Sequence, residues 1–352
     1  MRTGSNRSRI AVIGSGTWGT TLALVVARAG RDVTLHARTA DRAHEMRQSR
    51  HNARYLPDYR LPENMRITSD FEEACDGAGL IALVVPSHTM RATARVIASL
   101  VDEAIVISAA KGLERGTLSR MTQILRDELA PEAHHRICAL SGPNLALEIA
   151  AGQPAASVIA GSDDDVTARA RDLLMTERFR CYTHDDLIGV EIGGALKNII
   201  AIGAGIGDGL AVGHNATAAF ITRGVAEIAR LGIAVGANPL TFAGLTGIGD
   251  LIATCASPLS RNHQVGRRLA AGQHLAEIQA SMTQVAEGIF TTEAATELGS
   301  QHAVELPITE QMNAVLFSGK SPRAAIADLM GREAKAELDD LRTLRPNTGN
   351  PA

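Results

Sequence analysis

The chain has 352 residues, 45% of them hydrophobic and 21% charged, with a net charge of -3 at pH 7. That length holds two domains with substantial cores, and the balance is that of an ordinary water-soluble globule. The small negative charge excludes any general attraction to nucleic acid or anionic membrane, and one Trp, three Tyr and six Phe are too few for base-stacking platforms.

In chain order, residues 1–8 are polar and predicted to be disordered. Ile10, Ala11, Val12 and Ile13 then run straight into Gly14, Gly16 and Gly19, and an apolar, Ala-rich run over residues 20–29 closes at Gly30. This order predicts a buried strand, a tight glycine turn and a helix. Gly14 supplies the turn, Gly16 lets backbone approach a pyrophosphate, and Gly19 lets helix and strand pack closely. The helix start faces the phosphates with unpaired N–H groups and a positive dipole end. Glycine triplets arise by chance, so the second strand over residues 32–38 is what makes this a dinucleotide site. Arg2, Arg7 and Arg9, followed by an uncharged run to Ala27-Arg28-Ala29, imitate a secretory leader. Three glycines and four hydroxyl-bearing residues inside that run make a poor apolar helix, and cleavage would discard a motif the following chain continues.

Further apolar strands are predicted over residues 79–85, 104–109, 136–140, 157–160 and 179–182. Uninterrupted apolar strands separated by helical segments indicate a parallel sheet covered on both faces, an α/β Rossmann-type doubly wound sheet. Ligands of such sheets bind beyond the carboxyl ends of the strands, where Lys111 and Asn144 stand in Ala110-Lys111-Gly112 and Ser141-Gly142-Pro143-Asn144. From residue 187 the pattern is helical only, over residues 187–207, 216–231, 262–271, 292–298 and 308–318, with a last short helix at 328–338. The polar Thr183-His-Asp-Asp186 stretch marks the boundary. The expected organisation is a Rossmann dinucleotide-binding domain over 9–186, an all-α substrate-binding and catalytic domain over 187–340, and a disordered tail over 341–352.

Away from the N-terminus no uncharged apolar run approaches the roughly 20 residues of a membrane helix. Cys75, Cys138, Cys181 and Cys255 are widely spaced, with no CxxC pair and no Cys/His cluster, which reads as reduced thiols in a cytoplasmic protein. His134-His135 and His302 lack metal-ligand spacing, so no metal site is expected.

The second strand, Val33-Thr-Leu-His-Ala-Arg38, has no acid at its tip to hold the ribose hydroxyls of NAD, and Asp41 reads as the cap of the next helix. Arg38 suits a 2′-phosphate through its planar fork, or is a solvated loop arginine. NADP is favoured and NAD stays open. Lys197 lies among small and apolar neighbours (Gly193, Gly194, Ile200, Ala201), beside Asn198. Desolvation there lowers an ammonium pKa and suits it to exchange protons near neutrality; the bland alternative is a lysine snorkelling from a helix edge. Asp250 reads as a helix N-cap, or as the carboxylate holding an active-site lysine. Ser260-Arg261-Asn262 at a helix start makes a phosphate site, while Arg267 and Arg268 read as a solvated face. Glu287 alone would pass for a surface acid.

Taken together, GSGTWG (14–19), AAKGLE (109–114), SGPNLA (141–146), EIGGALKNIIAIGAGIGDGL (191–210), LTGIGDLIATC (245–255), SRN (260–262) and VAEG (285–288) resemble the NAD(P)-dependent sn-glycerol-3-phosphate dehydrogenases, in family order over residues 9–340. The resemblance implies a Rossmann domain followed by a helical one, usually dimeric, interconverting dihydroxyacetone phosphate and sn-glycerol 3-phosphate for phospholipid synthesis. It implies Lys197 as proton donor and acceptor at the substrate C2 oxygen, with Asp250 in support and Lys111 polarising the same oxygen. Lys111, Gly142 and Asn144 would meet substrate, and Ser260, Arg261 and Asn262 would hold its phosphate end. Gly14, Gly16, Thr17, Trp18, Gly19, Arg38, Lys111, Ala146, Arg261, Val285 and Glu287 would line the dinucleotide, although Trp18 equally reads as a packing residue. Asn144 stands where many bacterial members carry Ser. The competing expectations are a reductase of another small oxo or hydroxy acid, which needs a carboxylate clamp, and a non-catalytic dinucleotide sensor.

Overall fold

A computed structural model describes residues 8–282, 284–334 and 337. The disorder expected over residues 1–8 and 341–352 lies, apart from Ser8, outside the described residues.

The chain divides into two compact units, residues 1–110 with 121–187, and residues 111–120 with 188–352. The first carries β1 (Arg9–Ile13), β2 (Val33–His36), β3 (His51–Asn52), β4 (Leu56–Arg60), β5 (Met65–Thr68), β6 (Ala78–Leu83), β7 (Ile105–Ser108), β8 (Ile137–Ser141), β9 (Ala155–Gly161) and β10 (Phe179–His184). All but β3 and β4, which pair as a hairpin, form one eight-stranded sheet of order β10-β9-β8-β7-β6-β1-β2-β5. Successive side chains of a strand point to opposite faces, and both faces of β1 are apolar. Ile10 and Val12 pack under helices α1 (Thr17–Arg28), α2 (Ala40–Ser49), α6 (Ala146–Ala150) and α7 (Asp164–Leu174). Ala11 and Ile13 pack under α3 (Phe71–Cys75), α4 (Met90–Ile97) and α5 (Met121–Glu128). The sheet is therefore doubly wound, and β1, flanked by β2 and β6, sits where the strand order turns.

The sheet departs from the expected all-parallel form at one seam, because β9 runs antiparallel to β8. The connection over residues 142–154 holds only the five-residue α6, too little helix for a crossover, so the chain folds back. Strand β5 and the β3–β4 hairpin had no sequence signal. They are short, and β4 (Leu-Pro-Asp-Tyr-Arg) is largely exposed and polar. Asp41 does not cap α2; Thr39 does, accepting a hydrogen bond from the Arg42 N–H, with Asp41 in the first turn.

The second unit is helical: α8 (Leu187–Gly209), α9 (His214–Ala234), α10 (Asp250–Ala256), α11 (Arg261–Ala270), α12 (Leu275–Ser281), α13 (Glu287–Gln301), α14 (Pro307–Phe317) and α15 (Pro322–Met330). Helix α8 is long and apolar enough to cross a membrane by composition, but 89% of that stretch is buried as the core of this unit. Among the described residues the last helix begins at Pro322, earlier than the expected start at 328, because Ser321 caps it and Pro322 opens it; the expected span 328–338 runs partly outside the described residues. Residues 111–120 also depart from the expected unbroken first domain. Leu113 and Leu118 are buried in the helical core, and Arg120 pairs with Glu191 of α8.

Candidate functional site

In the first unit the glycine turn follows β1. Gly14 has φ +115°, and a Cβ there would sit 2.4 Å from the Val84 carbonyl oxygen; a Cβ on Gly19 would meet the Gly14 oxygen at 1.9 Å. Both positions therefore require glycine. A Cβ on Gly16 would meet nothing within 4 Å, so the backbone there faces open space. Gly16 is also the N-cap of α1 and offers no side-chain cap, which leaves first-turn N–H groups for an anionic ligand. These features fit a dinucleotide pyrophosphate. The Thr17 hydroxyl donates to the Tyr55 carbonyl at 3.1 Å. Trp18 packs against the core, its ring 6.2 Å from that of Phe179. Arg38 is exposed just past β2, without an ion pair among the described residues.

At the end of β8, Gly142 has φ +138° and lies close enough to Ser157 that a Cβ would stand 3.1 Å from its Cα. The Asn144 amide donates to the Ser157 hydroxyl at 2.9 Å, and that hydroxyl donates to the Ser141 carbonyl at 3.0 Å. Ala146 opens α6, and its carbonyl accepts from the Thr21 hydroxyl of α1 at 3.3 Å.

In the second unit Lys197 sits in mid-α8, only 6% exposed. Its Nζ donates to Asp250 Oδ1 at 2.6 Å and to the Thr254 hydroxyl at 2.5 Å. The other oxygen of Asp250 accepts from Lys111 Nζ at 2.6 Å. Asp250 is 1% exposed and is the first residue of α10; Gly249 holds the N-cap position, so the carboxylate serves the lysines and not the helix end. Two ammonium groups on one buried carboxylate leave this trio with a surplus positive charge. Burial lowers the Lys111 pKa to about 8, Asp250 pulls it back up, and the neighbouring Lys197 charge pushes it down.

Ser260 caps α11, its hydroxyl accepting from the His263 N–H, and is buried. Arg261 is exposed and donates to the Val285 carbonyl at 2.6 Å, with the Glu287 charge at the start of α13 acting on it. Asn262 is 7% exposed and spans three helices: its Nδ2 donates to Asn198 Oδ1 at 2.9 Å and its Oδ1 accepts from the Gly288 N–H at 3.0 Å.

The second unit thus brings Lys111, Lys197 and Asp250 into direct contact, and Arg261, Val285 and Glu287 into a second group. The first unit gathers Gly14, Gly16, Thr17, Trp18 and Gly19 at one turn, with Gly142, Asn144 and Ala146 at the end of β8. Sequence reasoning missed Thr254 and Asn52. Thr254 lies four residues past Asp250, a helical spacing that places both on one face. Asn52 is 1% exposed and donates to the Ser15 carbonyl and the Thr20 hydroxyl, both at 2.8 Å, but it comes from a hairpin that had no signal.

Family models described as the NAD-dependent glycerol-3-phosphate dehydrogenase N-terminus and C-terminus match residues 9–167 and 186–327. The chain is 49% identical to a glycerol-3-phosphate dehydrogenase [NAD(P)+] from Dehalococcoides mccartyi, over 94% of this chain and 93% of that one. It is 47% identical to one from Citrifermentans bemidjiense, over 94% and 98% of the two chains. The crystal structure of glycerol-3-phosphate dehydrogenase from Coxiella burnetii superposes with a TM-score of 0.87 at 37% identity, covering 92% of this chain and 99% of that one. With both halves matched in order, and a glycine turn and a buried lysine–carboxylate cluster standing in those halves, the chain belongs to the NAD-dependent glycerol-3-phosphate dehydrogenase family.

Proposed function

We infer that the chain reduces dihydroxyacetone phosphate to sn-glycerol 3-phosphate, reversibly, with NADPH or NADH, and that the Lys197–Asp250–Lys111 cluster carries the proton chemistry. The reaction, its oxidoreductase class and the nicotinamide cofactor follow from family membership, and the product feeds glycerophospholipid synthesis. The residue roles are our proposal, and one observation supports them above the others: a buried carboxylate that takes one ammonium on each oxygen at 2.6 Å.

When bound, the reduced nicotinamide supplies the hydride. Gly14, Gly16, Thr17, Trp18, Gly19, Arg38, Lys111, Ala146, Arg261, Val285 and Glu287 are proposed to hold the dinucleotide. Lys197 Nζ donates the proton that neutralises the alkoxide forming at C2 and recovers it in the reverse direction. Asp250 aims Lys197 Nζ through the 2.6 Å contact and gives the buried lysine the charged partner it needs. Lys111 adds a second positive group for the same oxygen, so charge is stabilised where it develops. Ser260, Arg261 and Asn262 are proposed to fix the phosphate, with Gly142 and Asn144 on the rest of the substrate. Binding energy remote from C2 then positions the reacting carbon. A homodimer working in the cytoplasm completes the proposal. Buried, unpaired Cys75, Cys138, Cys181 and Cys255 support a reducing compartment, and Leu240 (78% exposed) and Ile252 (50%) are apolar surface that a second copy would cover.

The test is an absorbance assay of dihydroxyacetone phosphate reduction with each nicotinamide. Lys197→Ala is expected to lower kcat by ~10²–10⁴ while leaving cofactor affinity unchanged. A variant that keeps the parent turnover removes Lys197 from the chemistry.

A further inference from the structure

Arg38, Arg42 and Arg54 gather positive charge beside the glycine turn, and none has a carboxylate partner among the described residues. Two of them lie over one ring. The Arg42 guanidinium lies 5.0 Å from the centroid of the Tyr55 ring and that of Arg54 lies 5.3 Å from it. They come from different elements, Arg42 from the first turn of α2 and Arg54 from the turn that joins β3 to β4.

Their platform is fastened to the pyrophosphate turn at three points. The Tyr55 carbonyl accepts from the Thr17 hydroxyl at 3.1 Å, and Asn52 donates to the Ser15 carbonyl and the Thr20 hydroxyl at 2.8 Å each. The turn is closed on itself by the Tyr55 N–H bonding to the Asn52 carbonyl at 3.1 Å. Tyr55 is thus fastened beside the glycine turn, and the two guanidinium groups lie over its ring.

This arrangement is unfavourable without an anion. Like charges on one ring repel, and a cation in the first turn of α2 opposes the helix dipole. Cation–π contact returns only about 0.5–1 kcal/mol at exposed positions. The backbone of the glycine turn already serves the pyrophosphate, so the arginines answer a different group. The tip of β2 lacks the acid that would accept a hydrogen bond from a ribose 2′-hydroxyl and would repel a phosphate there. Planar guanidinium forks match phosphate oxygens two at a time.

We propose that Arg42 and Arg54, set in place by Tyr55, bind the 2′-phosphate of NADP(H) and decide its preference over NAD(H). The proposal rests on the reading that the glycine turn holds a nicotinamide dinucleotide. Arg38 alone does not account for the site, since Arg42 and Arg54 bring two further charges to the Tyr55 ring.

The experiment compares the parent with Arg42→Gln, Arg54→Gln and the double variant. Calorimetry gives the affinity for adenosine 2′,5′-bisphosphate and for 5′-AMP, and kcat/KM for dihydroxyacetone phosphate reduction is measured with NADPH and with NADH. A charge-assisted hydrogen bond contributes ~1.5–3 kcal/mol, so each substitution is expected to weaken the bisphosphate about tenfold or more and the double variant about a hundredfold. Affinity for 5′-AMP and kcat/KM with NADH should hold. An unchanged bisphosphate affinity, or an equal loss for both nucleotides, overturns the proposal. Arg54 is exposed and outside the core, so its variant carries the test even if the Arg42 variant melts early. A parent that binds neither nucleotide overturns the dinucleotide reading and the proposal with it. A parent that binds both and turns over with NADPH, beside variants of unaltered selectivity, overturns the proposal alone.

Discussion

Lys111 and Lys197 sit on opposite oxygens of Asp250, and their environments differ. Lys197 is enclosed, with Thr254 taking a further hydrogen, whereas the Lys111 side chain keeps 18% of its surface. Burial lowers the Lys111 ammonium to about 8, because it outweighs the pull of Asp250. The sign of the pH dependence follows. Ketone reduction consumes a proton, so the cluster must be protonated, and kcat/KM for dihydroxyacetone phosphate should fall as pH rises through about 8. The same group contributes a stability that rises with pH between about 8 and 10.5, since the unfolded chain binds the proton more tightly there. Lys111→Met should abolish the limb near pH 8 and lower the plateau; a profile with the limb intact assigns it to another group. Each of the three residues was legible singly, Lys111 beyond a strand end and Lys197 in an apolar helix. That Asp250 holds a lysine was one of two readings of its position, and only the resemblance named which lysines, because only tertiary contact joins positions 111, 197 and 250.

At the level of elements, the glycines of α8 do more than punctuate. A Cβ on Gly205 would stand 2.0 Å from the His263 carbonyl oxygen, and a Cβ on Gly266 of α11 would stand 2.0 Å from the Ile202 oxygen. The two helices cross backbone to backbone, and that closeness brings Asn262 within reach of Asn198. In a solvent-facing helix, Gly→Ala stabilises by roughly 1 kcal/mol. For Gly266→Ala the close contact reverses the sign, and overpacking should cost ~1–3 kcal/mol in urea denaturation, more if the helices cannot part. A midpoint at or above that of the parent would mean the helices shift freely. Apolar runs located most strands and the long helices, because burial on both faces writes itself into composition. The direction of β9, the β3–β4 hairpin and β5 were not legible. They are set by a short connection and by pairing at the sheet's edge, which leave little trace in local composition. Asn52 and Tyr55 went unread with them, so the part of the site that governs nucleotide choice was the least visible.

For the molecule as a whole, the two units are not two successive pieces of chain. Residues 111–120 leave the sheet after β7, enter the helical core, and return to begin α5. Leu113 is 3% exposed and Leu118 is 6% exposed, and removing each from that core forfeits ~1.5–3 kcal/mol. Arg120 pairs with Glu191, whose side chain is 7% exposed, and loss of one partner of such a buried pair costs ~3–5 kcal/mol. A domain's total stability is about 5–15 kcal/mol, so these losses consume most or all of it. Residues 188–352 expressed alone should therefore fail to fold cooperatively, with a broad thermal transition and strong binding of a hydrophobic dye. Residues 1–187 keep the complete eight-stranded sheet and should melt sharply. The decisive comparison links residues 111–120 through a flexible spacer to residue 188. If the buried leucines and the arginine carry the second unit, this chain regains a sharp transition, while the same chain with Leu113→Ser, Leu118→Ser and Arg120→Ser does not. Equal cooperativity in residues 188–352 with and without the added segment would show that the helices close their core unaided.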